Sequence, residues 1–569
     1  VMNINELYSG MGIVDIPKLC QQQPRLALVK EIADKQKFMH WELEFADLFA
    51  ERGGFDLILG NPPWIKAKWN EQAVLSDIQP LFAVKNFSAP QIDLLRVKIM
   101  ENTDQKDLYI SEYVESSGLL NYLNTITNFP DLKGVQTNLY KCFIPKAWEL
   151  CNERGISALI HPDGVFDDSN GSMLRKKIYP KLRKHFHFIN ERLLFAEVGH
   201  PEVFSLNIYS NEHTESFEVI SNLFEPRTID ECYNDSCNTQ AVSGIKDENN
   251  NWNIRGHKDR RILITQKELN IFATLFDDAE LYESARLPVI HAKQLVEVLN
   301  IFANQRTTIS SLKDQYYPTQ LLDETGAQKN NIIANFVNFP DTPISLIYSG
   351  PHIGVANPIF QTPRHECRSK GDYDRIDLEL IPYNYMQRSK YSITCSLVDY
   401  INITPTTPWG TRYIDEYKLL SRKMLNLKQE RTLISAIAPK RTGHINGIYG
   451  ICFNSNDLLV LASALFASLP YDFFIKCMGK TNLLDNNAGQ LPIISCPQAD
   501  ELKARALMLN SLTSAFGELW ESIYSCNFSY CLWSKPDHRL RPEKFKSLTS
   551  KWTWDTPLRT DYERRQALV

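Results

Sequence analysis

The chain contains no run of eighteen apolar residues, so nothing in it has the length of a helix that crosses a membrane. Its first residues, Val1-Met2-Asn3-Ile4, lack the basic-then-apolar order of a secretory leader, and the expectation is a soluble, cytoplasmic protein. Among twelve cysteines there is no Cys-x-x-Cys. The closest pairs, Cys232/Cys237 and Cys526/Cys531, have no neighbouring ligand at zinc-site spacing, so reduced structural thiols and no metal are expected. A basic excess is missing too: the net charge is −5, and a globally cationic surface is excluded. Local basic clusters remain at Arg175 to His185, Arg255 to Arg261 and Arg539 to Lys551, each readable as a solvated face or a phosphate contact. No repeat is visible, and no Pro-Asp is followed by a strand-borne Glu-x-Lys of the nuclease type.

What is present is one stretch of specific chemistry, Phe55-Asp56-Leu57-Ile58-Leu59-Gly60-Asn61-Pro62-Pro63-Trp64. The apolar run reads as a buried parallel strand, and the two prolines end its ladder because they have no N–H to donate. A residue before proline is held extended, so Asn61 and Pro62 are both fixed. Two acceptors result, the Asn61 side-chain oxygen and the Pro62 carbonyl, beside the flat face of Trp64. An amino group on an aromatic ring is a poor nucleophile because its lone pair is delocalised. Two acceptors that grip its hydrogens draw the nitrogen toward a tetrahedral, reactive geometry, which is the chemistry that methylation of adenine N6 needs. Such a base must leave the duplex to reach the corner and would stack on Trp64. The plain alternative is that Pro-Pro after a strand is only a turn.

This stretch resembles the fourth motif of the γ-class N6-adenine DNA methyltransferases. The resemblance implies S-adenosylmethionine as cofactor and double-stranded DNA with a flipped adenine as partner. It also implies catalytic roles for Asn61, Pro62, Pro63 and Trp64. Phe45-Ala46-Asp47-Leu48-Phe49 resembles the motif whose acid, here Asp47, meets the cofactor's adenine, with Leu48 or Phe49 packed on that ring. Asn138 to Trp148 followed by Gly155 to Pro162 resembles the family's next helix and strand. Leu194-Phe195 and Val203 to Ile208 resemble the segment that supplies a second stacking aromatic, Phe195 as first choice and Phe204 as second. The wider match is to Eco57I-type methylases, among them the large adenine methylases of the DISARM and BREX phage-defence systems. His40 to Phe45 and Ser349-Gly350-Pro351-His352 with Asn357-Pro358 resemble the DISARM enzyme more, which implies partner proteins of a defence system.

The implied fold class is α/β: the carboxyl half of a Rossmann-like class I methyltransferase sheet, followed by a mixed α/β target recognition domain. Residues 1–225 are expected to be catalytic. Within them lie a helix near Leu26 to Lys37, a helical excursion over 65–135, a helix at Ser172 to Lys184 and strands at Ile156 to Ile160, Phe186 to Asn190 and Phe204 to Ser210. The Gly-rich cofactor turn of such a fold has one candidate, Ser9-Gly10-Met11-Gly12, which follows no convincing strand. The expectation is therefore a piece of a longer protein, with the glycine turn in a preceding portion. Residues 226–289 read as a connector, 290–495 as the recognition domain and 496–569 as a helical, basic, Trp-rich end. Loops at Tyr348 to His352, Pro363 to Lys370, Arg388 to Tyr391 and Lys440 to Asn446 offer DNA-binding candidates: Arg364, Arg368, Arg388, Lys440 and Arg441.

Two other functions stay open. The Asn-Pro-Pro-aromatic corner also occurs in enzymes that methylate RNA bases or protein glutamine, and a non-catalytic DNA-recognition or scaffold subunit would keep the large second domain.

Overall fold

The computed structural model describes residues 16–85, 87–134, 138–234, 241–277, 281–427 and 429–569, so Ser9 to Gly12 lie outside the described residues. The chain divides into two compact units, one of residues 1–163, 176–188 and 202–218, the other of 164–175, 189–201 and 219–569.

In the first unit, helix α1 (Pro24–Gln36) leads to strand β1 (Phe55–Gly60). Gly53 and Gly54 join helix and strand with φ of 74° and 142°. A Cβ on Gly54 would sit 2.6 Å from the Leu150 carbonyl oxygen, so only glycine lets β1 start this close to its neighbour. After β1 comes the expected helical excursion, closing with α2 (Thr103–Asn124), whose Asn102 cap accepts from the Gln105 N–H at 3.1 Å. A small core of Leu75, Phe82 and Ile99 holds the excursion together. Helix α3 (Leu139–Leu150) buries Tyr140, Ile144, Ala147 and Trp148 on one side and packs on β2 (Cys151–Pro162). Strands β3 (Leu182–Ile189) and β4 (Val203–Ser210) complete four neighbouring strands in the order β1-β2-β4-β3. β1 runs parallel to β2, with Gly60 opposite Leu159, while β4 runs antiparallel to β2, with Phe204 opposite Pro162.

Two expectations change here. The helix expected from Ser172 to Lys184 stops at Ile178, and β3 begins at Leu182, because Pro180 cannot continue the helix and Leu182, Phe186 and Phe188 are buried at alternate positions suited to a strand. β1 is not fully buried: it lies at the sheet edge, and Leu57 and Leu59 are 56% and 71% exposed, since no described element covers that face.

The second unit is built on helix α4 (Gln266–Phe276) and a sheet of β5 (Tyr316–Thr319), β6 (Lys418–Arg422), β7 (Ser435–Ala438) and β8 (Ile448–Phe453), in the order β7-β6-β8-β5. The unbroken apolar run of β8 is wholly buried and pairs antiparallel on both sides. β5 takes the edge, where Pro318 needs no donor of its own. Helices α5 (Asn456–Ala467), α6 (Leu469–Met478) and α7 (Ala499–Asn510) follow; α5 packs on α7 and β7. No single helix among the described residues is long and apolar enough to cross a membrane.

The basic clusters are in part interior. Arg260 donates to the carbonyls of Ser221 and Asn222 at 2.8 and 3.1 Å, and buried Lys544 donates to that of Pro557 at 3.2 Å. The terminal tryptophans pack as anchors: Trp520, Trp552 and Trp554 donate to backbone carbonyls at 2.9, 2.8 and 3.1 Å.

Candidate active site

Asn61 follows the last residue of β1, at the carboxyl end of a parallel strand, where backbone leaves the sheet and its groups are freed from the ladder. Asn61 is exposed, and its side chain makes no hydrogen bond to any described residue. Pro62 is buried, yet its carbonyl has no hydrogen-bond donor among the described residues. Both acceptors that the sequence marks out are thus unspent. The exit from the corner is pinned: Lys66 bridges Asn138, and the Leu139 N–H donates to Ile65 at 3.0 Å, tying the segment to the start of α3.

Trp64 is half-buried and fixed from two directions. Its indole N–H donates to the Ile160 carbonyl of β2 at 3.3 Å, and its ring lies 5.8 Å from Phe204 at 31°. Phe204 in turn stacks on Phe188 at 5.2 Å and 3°. At 4% exposure, with rings close on both sides, Phe204 has no open face for a base and serves instead as a backing for Trp64. Phe195 is half-buried, in the other unit, where its backbone is clasped by Asn190: N–H to Oδ1 at 3.0 Å and carbonyl from Nδ2 at 2.9 Å.

Beneath the neighbouring strand end lies a buried polar network that the sequence reading missed. His161 Nδ1 donates to the Pro162 carbonyl at 2.9 Å, leaving Nε2 to accept from Asn207 at 2.9 Å, with the Tyr209 hydroxyl at 3.0 Å. Asn207 also donates to Ser205 Oγ at 2.9 Å and accepts from His185 Nδ1 at 2.7 Å. Asp163 lies 3.5 Å from His185 and 3.9 Å from His187. Burial pushes the His161 imidazole down to about 4. Burial opposes the charge of Asp163, but His185 and His187 outweigh it and hold the carboxyl below its usual range. The signal was available: His185 and His187 alternate on one face of β3, His161 lies in the last two residues of β2 and Asp163 directly follows it.

Asp47, Leu48 and Phe49 sit on the short helix Ala46–Arg52 that precedes β1. Asp47 is exposed in its first turn, Leu48 is half-buried, and Phe49 meets Phe55 edge-on at 5.6 Å.

The five cations expected to meet DNA are each engaged within the chain. Arg364 pairs with Asp374 at 2.9 Å, Arg368 with Glu366 at 3.7 Å, Lys440 with Glu518 at 2.6 Å and Arg441 with Asp415 at 2.8 Å. Arg388 lies 5.5 Å over the exposed ring of Phe339. Exposed pairs of this kind contribute roughly 0–1 kcal/mol and exchange readily for another anion. The Tyr348 to His352 loop, expected at the surface, is interior: Ser349 Oγ bonds His352 and Tyr373 at 3.1 and 2.8 Å, which removes both side chains from any ligand. Among the described residues no group of His, Cys, Asp and Glu is arranged to hold a metal.

Residues 11–109 match the family described as Eco57I restriction-modification methylase. No curated protein matches the chain. Among solved structures, the type IIG restriction endonuclease BpuSI is similar over 83% of this chain and 52% of its own, at 9% identity and a TM-score of 0.29. The type IIL restriction-modification enzyme MmeI, in complex with DNA, is similar over 80% and 48%, at 11% identity and a TM-score of 0.30. The methyltransferase subunit of a type I restriction-modification system from Streptococcus thermophilus is similar over 30% of this chain and 27% of its own, at 15% identity and a TM-score of 0.17. The chain spans about half the length of BpuSI and MmeI.

Proposed function

We propose that the chain is the catalytic and DNA-reading part of a DNA adenine-N6 methyltransferase that uses S-adenosylmethionine and marks host DNA in a restriction-modification or phage-defence system. The observation that carries this reading is the corner at Asn61 to Trp64, where two unpaired acceptors stand beside a fixed aromatic face. The Eco57I methylase match across residues 11–109 supports a methylase role, since that span includes the corner.

In this reading a flipped adenine lies on Trp64, and its amino group donates one hydrogen to Asn61 Oδ1 and the other to the Pro62 carbonyl. Held this way, the nitrogen lone pair leaves the ring and points at the methyl donor. S-adenosylmethionine, when bound, supplies that methyl group. Asp47 fits an acceptor for the cofactor's adenine amine because its carboxylate is exposed, and Leu48 and Phe49 give the apolar contact beside it. The pairing acceptors stabilise positive charge that develops on nitrogen, and no strong base is needed because the alkylated amine is acidic. Phe195 is assigned the second stacking face and Phe204 the support of Trp64. Arg364, Arg368, Arg388, Lys440 and Arg441 are assigned to DNA, trading their carboxylate or ring partners for phosphate or base edges.

The test is a map of modified adenines in a host that expresses the full-length protein, against the same host with Asn61→Ala. N6-methyladenine at one recurring site, absent in the variant, is expected. Equal methylation in both hosts would exclude the role given to Asn61.

A further inference from the structure

The second unit holds a cleft of about 420 Å³, within the roughly 300–1,000 Å³ typical of small-molecule sites. Among the described residues, three cationic side chains line it, Arg175, Arg286 and Lys480, against one carboxylate, Asp277.

Arg286 is the informative group. Its Nε donates to Asp277 Oδ1 at 2.6 Å, and its own backbone N–H donates to Asp277 Oδ2 at 2.8 Å, so the guanidinium is locked at the end of α4. The side chain is only 12% exposed, yet neither terminal nitrogen bonds any described residue. These terminal donors remain open to the water of the cleft and are not committed to any described acceptor. An oxyanion in the cleft would complete them with two parallel N–H···O bonds, a geometry for which the guanidinium fork is built and an ammonium is not.

The surrounding groups select the anion. Arg175 forms part of the wall, donating to the carbonyls of Ser284 at 2.9 Å and Val165 at 3.2 Å. The hydroxyls of Ser169 and Ser172 line the same space and have no partner among the described residues. Several cations and two free hydroxyls suit an anion with three or more oxygens better than a carboxylate with two. The volume leaves room for more than the anion alone.

We propose that this cleft is a binding site for a phosphate ester, gripped by the terminal nitrogens of Arg286. It is separate from the methylation chemistry, and either can fail without the other. The phosphate belongs to a free nucleotide or to a DNA backbone, and the arms of the test distinguish the two.

Calorimetric titration of the intact chain with dAMP, deoxyadenosine and a short duplex tests it. Saturable binding of dAMP, none of deoxyadenosine, and weakening with salt are expected for a free nucleotide. Binding of the duplex but not of dAMP assigns the phosphate to DNA. In either case Arg286→Lys, which keeps the charge beside Asp277 but removes the fork, lowers affinity by about tenfold at an unchanged melting midpoint. Ser172→Ala, a milder change with little risk to folding, lowers it by a smaller factor. The proposal is overturned if neither dAMP nor duplex binds, or if both variants bind as the parent does.

Discussion

At the adjacent ends of β1 and β2 in the first unit, polar groups are in opposite states. At the end of β1, the Asn61 amide is exposed and the Pro62 carbonyl has no donor among the described residues. One strand over, His161, Asn207, Ser205 and His185 are buried and joined by hydrogen bonds of 2.7 to 2.9 Å. Both sets cost something to maintain, but differently. The buried set must be satisfied or the core fails; the open set is free to act because nothing in the fold uses it. Substitutions in the open set should therefore change activity without stability, and in the buried set stability before activity.

Asn61→Ala gives the sharpest break. Loss of one acceptor aimed at developing charge should lower methyl transfer by roughly 10²–10³-fold or more, while the melting midpoint stays where it was. Single-turnover methylation and thermal unfolding on the same preparation check both halves. A fall in stability alongside activity would erase the contrast between the two strand ends.

Asn207→Leu is the mirror experiment. It removes the acceptor of His185 Nδ1 and one partner each from His161 Nε2, which keeps the Tyr209 hydroxyl at 3.0 Å, and Ser205 Oγ, and urea unfolding should report a loss of about 1–3 kcal/mol. The same network sets a pH dependence. His161 is held at about 4 by burial, below an unfolded value of about 6.5, so the unfolded chain binds the extra proton. Its contribution is complete above about pH 6.5 and is lost as pH falls toward 4, by up to about 3 kcal/mol. His187, lowered by burial, acts in the same direction. His161→Gln should flatten that slope; an unchanged slope would place the titration elsewhere.

How much of this was legible in the sequence follows the same division. The corner was readable because Pro62 and Pro63 act locally: they fix backbone and remove donors whatever surrounds them. The order of helix and strand from α3 through β4 was readable from periodicity, apart from the boundary at Pro180. The His161 network was not read, because it joins residues from β2, β3 and β4 that only sheet pairing brings together. The interior Tyr348 to His352 loop was misread for a related reason: Ser, Gly, Pro and His signal a surface turn locally, while the Tyr373 hydroxyl that satisfies Ser349 comes from twenty-four residues away. The exposed face of β1 runs the other way, as Leu57 and Leu59 carry the composition of a buried strand without a described element to cover them.

Trp64 sits between the two states, and its variants carry the smallest effects. Its ring is offered to a ligand in the proposed role, but its N–H is committed to Ile160 and one face is backed by Phe204. Trp64→Ala should lose roughly 1–3 kcal/mol of affinity for DNA bearing an unpaired adenine, the range for base stacking on an aromatic. Trp64→Phe keeps a ring against Phe204 and forfeits only the hydrogen bond to Ile160, about 0.5–1.5 kcal/mol. Because that bond orients the indole rather than touching the base, its loss should appear more in the rate of methyl transfer than in binding. Fluorescence titration of a 2-aminopurine duplex, set beside single-turnover rates, separates the two. If Trp64→Phe weakened binding as much as Trp64→Ala, the indole N–H rather than the ring face would be what holds the base, and Trp64 would belong with the committed groups of β2.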